Sequence, residues 1–190
     1  MSPQHSNRQQ LLEGAISCVA ELPPAQITAR EIAARSGANL ASISYHFGTK
    51  NRLVAEATIV ALDRWLAEVD EQLGAIDATD PAKRIERALH VVNATRLEHL
   101  GSLTTFMQTV SVAASDPEVR ELLVDGFART RPVLAAVLGL GDDRGGQDAA
   151  ALLLSMFHGL MIQATLGDAL ALDDDRMGEA LRRLRDVLPR

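Results

Sequence analysis

The sequence predicts an all-α protein, and three observations carry that prediction. Apolar residues recur at helical rather than strand spacing along most of the 190 residues. Ala and Leu dominate an apolar content of 47%, whereas aromatic residues supply only 3%, so a helical core can be filled and a β-sandwich is not suggested. Helix start signals (Asp-Pro, Thr-x-x-Glu) and glycine stops punctuate the chain at intervals suited to helices joined by short turns.

Taken in order, the first helix runs from about Asn7 to Leu22, because Leu11, Leu12, Ala15, Ile16, Val19 and Ala20 repeat at helical spacing and Pro23-Pro24 must end it. Thr28 and Glu31 form a capping box, and Ile27 and Ile32 a hydrophobic staple, so the second helix starts at Thr28. Gly37, able to take the left-handed conformation, ends it. Asn39 caps the third helix. There Ile43 and Phe47 fall on one side, with Leu40 near its edge, while Ser42, Tyr45 and His46 share the opposite side. Gly48 stops that helix and Thr49 caps the fourth. From Lys50, nine apolar positions out to Leu73 keep the helical period for about 24 residues, or roughly 36 Å, which makes a strut.

Beyond Gly74, Asp80-Pro81 opens a helix to about His99, and Gly101-Ser102 separates it from an apolar segment, Leu103 to Ala114. Asp116-Pro117-Glu118 repeats the start signal for a helix reaching Leu138. Residues 139–146 read as a loop, followed by a helix from about Gln147 to Leu166. Asp173, Asp174 and Asp175 start the last helix, which ends before Pro189, giving about nine helices in all.

Composition narrows function. The net charge is −6, but residues 1–53 carry +2 and the remainder −8, so a small positive module on an acidic body meets phosphate with one face only. The single cysteine, Cys18, excludes a disulfide framework and reads as a small buried residue of helix one. The N-terminus lacks a signal peptide's basic region and apolar core, and no uncharged apolar run approaches the roughly 20 residues of a membrane helix. A soluble, cytoplasmic protein is expected. The glycine pairs Gly139-x-Gly141 and Gly145-Gly146 lack the strand and acidic partner of a dinucleotide site. His90, His99 and His158 lie on separate helices without ligand-spaced neighbours, and Asp173 to Asp175 suits helix capping. No catalytic residue, metal site or cofactor is expected.

Two short helices about a glycine turn are the helix-turn-helix unit, whose second helix enters the DNA major groove. The segment ITAREIAARSGANLASISYHFGTKNRLV resembles the DNA-binding domain of the TetR family of transcriptional repressors, closely over the first quarter of the chain. The stretch ALLLSMFHGLMIQATLGDA resembles, more loosely, the penultimate helix of members with a betaine-regulator-like ligand domain. The chain departs from the pattern at Leu22-Pro23-Pro24, where a Gly-containing turn is usual, and at Ser44, where many members carry an aromatic. The resemblance implies a DNA-binding domain over residues 1–52 and a ligand-binding and dimerisation domain over 53–190. It also implies a transcriptional regulator, a repressor released from its operator by a small molecule. Tyr45, His46, Lys50 and Thr28 are then expected at phosphates, with Ala41, Ser42 and Ser44 nearest base edges and Asn39, Leu40 and Thr49 at the ends of the recognition helix.

The penultimate helix has almost no polar face, so it must be buried on more than one side. A second copy of the chain is the expected cover, since in the family the last two helices of each subunit form a four-helix dimer interface. Leu152, Met156, Gly159, Leu160, Gln163, Leu181 and Leu184 are the residues expected there. A homodimer would read a partially palindromic double-stranded operator. A small-molecule pocket is expected among Trp65, Arg96, His99, Phe106, Met107, Gln108, His158 and Met161, apolar surfaces interrupted by polar tips. The alternative function is a helical ligand-binding or protein-interaction module that no longer uses its helix-turn-helix on DNA.

Overall fold

In a computed structural model, residues 3–74, 76 and 80–187 are described. Among them are nine α-helices: α1 (Pro3–Glu21), α2 (Ala29–Ser36), α3 (Ala41–Phe47), α4 (Lys50–Leu73), α5 (Pro81–Thr95), α6 (Leu100–Ala113), α7 (Pro117–Leu138), α8 (Arg144–Leu166) and α9 (Asp174–Val187), with 3-10 turns at Pro24–Gln26 and Asp168–Leu170 and no strand. Packing gathers them into two compact units, Met1–Ala67 with Glu98–Thr130 and Glu68–Leu97 with Arg131–Arg190. The stop expected at Pro189 lies outside the described residues.

In the first unit the helix boundaries follow their caps. Thr28 Oγ1 accepts from the Glu31 amide at 3.1 Å, and Gly37 closes α2 with φ 66°. The capping box is only half made, because the Glu31 carboxylate accepts from Arg35 Nε at 2.9 Å. Asn39 Oδ1 accepts from the Ala41 amide and Thr49 Oγ1 from the Arg52 amide, so both expected caps are in place. Beneath them Leu11, Ala15, Val19, Ile32, Ile43, Phe47, Leu53 and Ala57 form a buried core. Cys18 is in that core, and burial pushes its thiol up from the ordinary range. Ala20, expected on the inner side of α1, is exposed.

Gly101 and Gly146 correct the sequence reading. The break after α5 falls over 96–99, and Gly101-Ser102 lies inside the first turn of α6 rather than ahead of it. A Cβ on Gly101 would stand 2.2 Å from the Ala20 carbonyl oxygen and 2.6 Å from that of Val19. The glycine is there for close approach of α6 to the end of α1, not as a breaker. Gly145-Gly146, expected in a loop, likewise lies in the first turn of α8, because Asp143 Oδ1 caps the Gly146 amide at 2.8 Å.

The second unit turns on a buried arginine. Arg84, 7% exposed, donates to the carbonyls of Val137 at 2.6 Å, Ile76 at 2.8 Å and Leu73 at 3.4 Å, with the Asp70 carboxylate 3.8 Å away. It therefore satisfies backbone acceptors at the ends of α4 and α7, where helix carbonyls lack internal partners. The side chain of Asp174, in the first turn of α9, accepts from Asn93 Nδ2 at 3.2 Å and pairs with His90, tying α9 to α5. Asp173 caps the Arg176 amide at 2.9 Å.

The helix α8 overturns one expectation. Arg144–Leu166 is long and apolar enough to cross a membrane, with mean hydropathy 1.6 over its most apolar 18 residues, because residues 149–167 contain no Asp, Glu, Lys or Arg. Only 11% of its most apolar window is buried within the chain, and Leu152 is 75% and Leu166 74% exposed. Length and composition of this kind also suit a helix covered by other protein.

Replacing Arg84 by Met should leave at least one buried carbonyl without a donor and destabilise the fold by about 1–3 kcal/mol. Urea unfolding followed by far-ultraviolet circular dichroism checks this through a lower midpoint at unchanged slope.

Candidate nucleic-acid interface

The helix α3 is seven residues long, too short to persist alone, and is held by one side. Ile43 and Phe47 are 3% and 2% exposed, whereas Tyr45 on the opposite side is 72% and Leu40 at its start 45% exposed. Tyr45 and His46 meet edge to face, centroids 4.8 Å apart. Ala41 and Ser44 are exposed, Ser42 and His46 half-buried. Thr28 and Asn39 are exposed at their helix starts, and Thr49 is exposed at the start of α4. Lys50 Nζ lies 3.4 Å from the Ile27 carbonyl oxygen, which brings the ammonium beside the start of α2 and hence beside Thr28. Thr28, Tyr45, His46 and Lys50 thus belong to one small helical unit built from α1, α2, α3 and the start of α4, with the outer side of α3 uncovered.

The structure also sorts the cations. Arg35, 23% exposed in its side chain, donates to Glu21 at 2.7 Å, Glu31 at 2.9 Å and Ser17 Oγ at 2.9 Å, which joins α2 to α1. Hydrogen bonds from Arg35 and Ser17 hold the Glu21 carboxyl below the usual range. Arg8 pairs with Glu56 at 2.5 Å and lies 4.8 Å over the Phe47 ring, bracing the far end of α3. Arg52 pairs with Glu118 at 3.3 Å. Arg30, exposed in the first turn of α2, has no ion pair among the described residues. It was absent from the residues singled out by sequence. Its signal was available there, since it lies two positions after the Thr28 cap, at a helix start suited to phosphate.

The residues expected to line a ligand pocket divide between the two compact units. Trp65, 3% exposed, stacks on His99 at 4.4 Å, and Phe106 meets Phe127 edge to face at 6.1 Å, both pairs within the first unit. Met107 is half-buried and Gln108 exposed in the same unit. In the second unit Arg96 donates to the Asn93 carbonyl at 2.8 Å, and burial holds the His158 imidazole below its ordinary range. Met161 lines a small apolar recess there with Leu89, Val92, Phe157, Leu160 and Met177. Of the expected dimer residues, Leu152, Gln163 and Leu184 are exposed, and Met156, Gly159 and Leu181 half-buried. A Cβ on Gly159 would meet nothing within 4 Å. Leu160 turns at least partly toward its own chain.

Comparison with known proteins agrees with this geometry. Residues 11–57 match the family described as bacterial regulatory proteins, tetR family. The HTH-type transcriptional regulator BetI of Yersinia pestis (strain Pestoides F) is 37% identical over 83 residues, a match that takes in 43% of this chain and 41% of that relative's length. Among solved structures, a candidate transcriptional regulator from Saccharomonospora viridis, in complex with choline, superposes with a TM-score of 0.66 at 22% identity over 95% of both chains. Another from Streptomyces coelicolor A3(2) gives 0.66 at 25% identity over 94% of this chain and 97% of that one. The multidrug binding protein EbrR, complexed with imidazole, gives 0.68 at 23% over 96% and 90%. The matches place the fold along nearly the whole chain, and residues 11–57 carry the N-terminal domain of the family described as bacterial regulatory proteins, tetR family.

Proposed function

We propose that this chain is a homodimeric, cytoplasmic, operator-binding transcriptional repressor released by a small molecule. The observation that carries the DNA reading is Tyr45, a largely exposed aromatic on a short helix pinned through Ile43 and Phe47. Exposing it to water has no structural advantage, whereas a phenol hydroxyl on the same helical unit as Lys50, Thr28 and Arg30 suits a phosphate backbone. Ala41, Ser42 and Ser44 then lie nearest base edges, with Leu40 offering an apolar contact to a thymine methyl.

Dimerisation is supported by the uncovered apolar residues of α8 and α9. Leu152, Ile162, Leu166, Leu184 and Val187 are each more than 40% exposed. A two-fold dimer sets its recognition helices about 34–36 Å apart, or a multiple, on a partial palindrome. The effector reading is supported by the ligands held by structural neighbours, choline in the Saccharomonospora regulator and imidazole in EbrR. Both serve as first probes of the expected residues in each unit, Trp65, His99, Phe106, Met107 and Gln108 in the first and Arg96, His158 and Met161 in the second.

On the chain's own upstream DNA, Lys50→Ala should weaken binding similarly on specific and random duplexes and lower the salt slope by about 1. Tyr45→Phe should weaken both without a comparable change of slope. Anisotropy titrations at several salt concentrations test this, and unchanged affinity in both variants would remove these residues from the interface.

Gly159→Arg and Leu152→Asp should put bulk and unpaired charge into the α8 contact and yield monomers by light scattering. Leu152 is the cleaner position because Leu160 also lines a recess of its own chain. A persisting dimer in both variants locates the interface elsewhere.

Release requires reciprocity: an effector that weakens operator binding by some factor must itself be weakened by operator in the same ratio. Calorimetry with choline, or with a compound found by thermal-shift screening, is expected to show that ratio. Equal effector affinity with and without operator rules out release by that compound.

A further inference from the structure

Arg52 and Glu118 form an ion pair that the reading above leaves unused. Arg52 is the third residue of α4, and its side chain is 45% exposed. Glu118 is the second residue of α7, and its side chain is 59% exposed. The acid is held in place. One turn on from Arg52 and next in sequence to Glu118, Ala55 and Val119 are both fully buried and belong to one apolar cluster with Ala113 and Leu123. Asp116 Oδ1 caps the Val119 amide at 3.2 Å, and Arg120 ties the turn before α7 by donating to the Ala113 and Ala114 carbonyls, each at 3.0 Å. Glu118 is thus a carboxylate fixed beside the first turn of α4, the same turn that presents Thr49 and Lys50.

Side chains on a helix lean toward its N-terminus, so an arginine three residues in reaches back along the first turn. For Arg52 that direction leads to Thr49, three positions before it on the same face, at the end of α4 whose first residue, Lys50, is assigned above to phosphate. A guanidinium donates to a carboxylate and to a phosphate in the same forked geometry, and an exposed pair costs little to exchange. We propose that Arg52 is a further phosphate-binding residue and that Glu118 is its intramolecular competitor, occupying the guanidinium until DNA displaces it. The inference rests on the DNA reading above. It makes DNA affinity depend on where the start of α7 stands relative to α4 within the first unit. It also lowers affinity for arbitrary duplexes, because every duplex must displace Glu118 before it gains the contact.

Fluorescence anisotropy on the full-length chain, with its own upstream DNA and with a random duplex, reads this out. Glu118→Gln is expected to tighten binding to both about 3- to 10-fold at low salt, whereas Arg52→Gln, which loses one phosphate contact, should flatten the salt slope by about 0.9. Glu118→Asp, which keeps the charge but shortens its reach, should give a similar gain. The double variant Arg52→Gln/Glu118→Gln should bind no better than Arg52→Gln alone. Thermal melts of each variant establish that it is folded. Wild-type affinity in both Glu118 variants would overturn the exchange. So would an equal gain with and without Arg52, which marks Glu118 as a diffuse repulsive charge. Failure of the DNA reading looks different: the wild-type chain itself then binds neither duplex.

Discussion

A seven-residue helix has no stability of its own, and everything in the N-terminal unit follows from the need to hold α3 in place by half its surface. Ile43 and Phe47 enter a core closed by Leu11, Ile32 and Leu53, so α1, α2 and α4 are each necessary walls. Arg8 braces Phe47 from above, and Gly48 and Thr49 turn the chain directly into α4. The remaining half of α3 is left bare, with Tyr45 standing furthest into solvent. Burial decides which residues can be presented, and that precedes any consideration of what they touch.

Charge is managed by pairing rather than by excess. Net charge of residues 1–53 suggested a modestly positive module, but Arg8, Arg35 and Arg52 all hold carboxylates, and Arg35 is a structural rivet between α1 and α2. What faces outward near the start of α2 is mainly Arg30 and Lys50 with hydroxyl and backbone donors. A surface of that kind suits an acidic chain, since few cations face outward to hold arbitrary polyanions.

Much of this was legible in the sequence because local rules agreed with the tertiary result. The caps at Thr28, Asn39, Thr49, Asp116 and Asp173 all bind backbone amides, and the inner and outer sides of α3 fall as periodicity assigns them. Glycines were where the reading failed. Gly37 and Gly48 end helices as expected, with positive φ, but Gly101 and Gly146 lie inside first turns, where the missing side chain answers to a neighbouring backbone that sequence does not display. The same limit hid the role of Arg35, whose partner Glu21 is fourteen positions away on another helix. The glutamine in the expected pocket, Gln108, shows the converse: periodicity gave its helix and not its environment.

The contact between Gly101 and the last carbonyls of α1 has a bearing on how such a protein can be cut and recombined. A border after residue 52 follows the sequence motif but passes through a packed seam, because α6 closes on α1, and the first turns of α7 close on Ala55 of α4, within one compact unit. A chimera that keeps residues 1–52 and takes all else from a relative would bring a foreign α6 against the end of α1. Any side chain at the position of Gly101 would strike main chain there. Grafts that carry 98–130 along with the N-terminal helices keep that seam intact, so the exchangeable part is discontinuous in sequence although it is continuous in space.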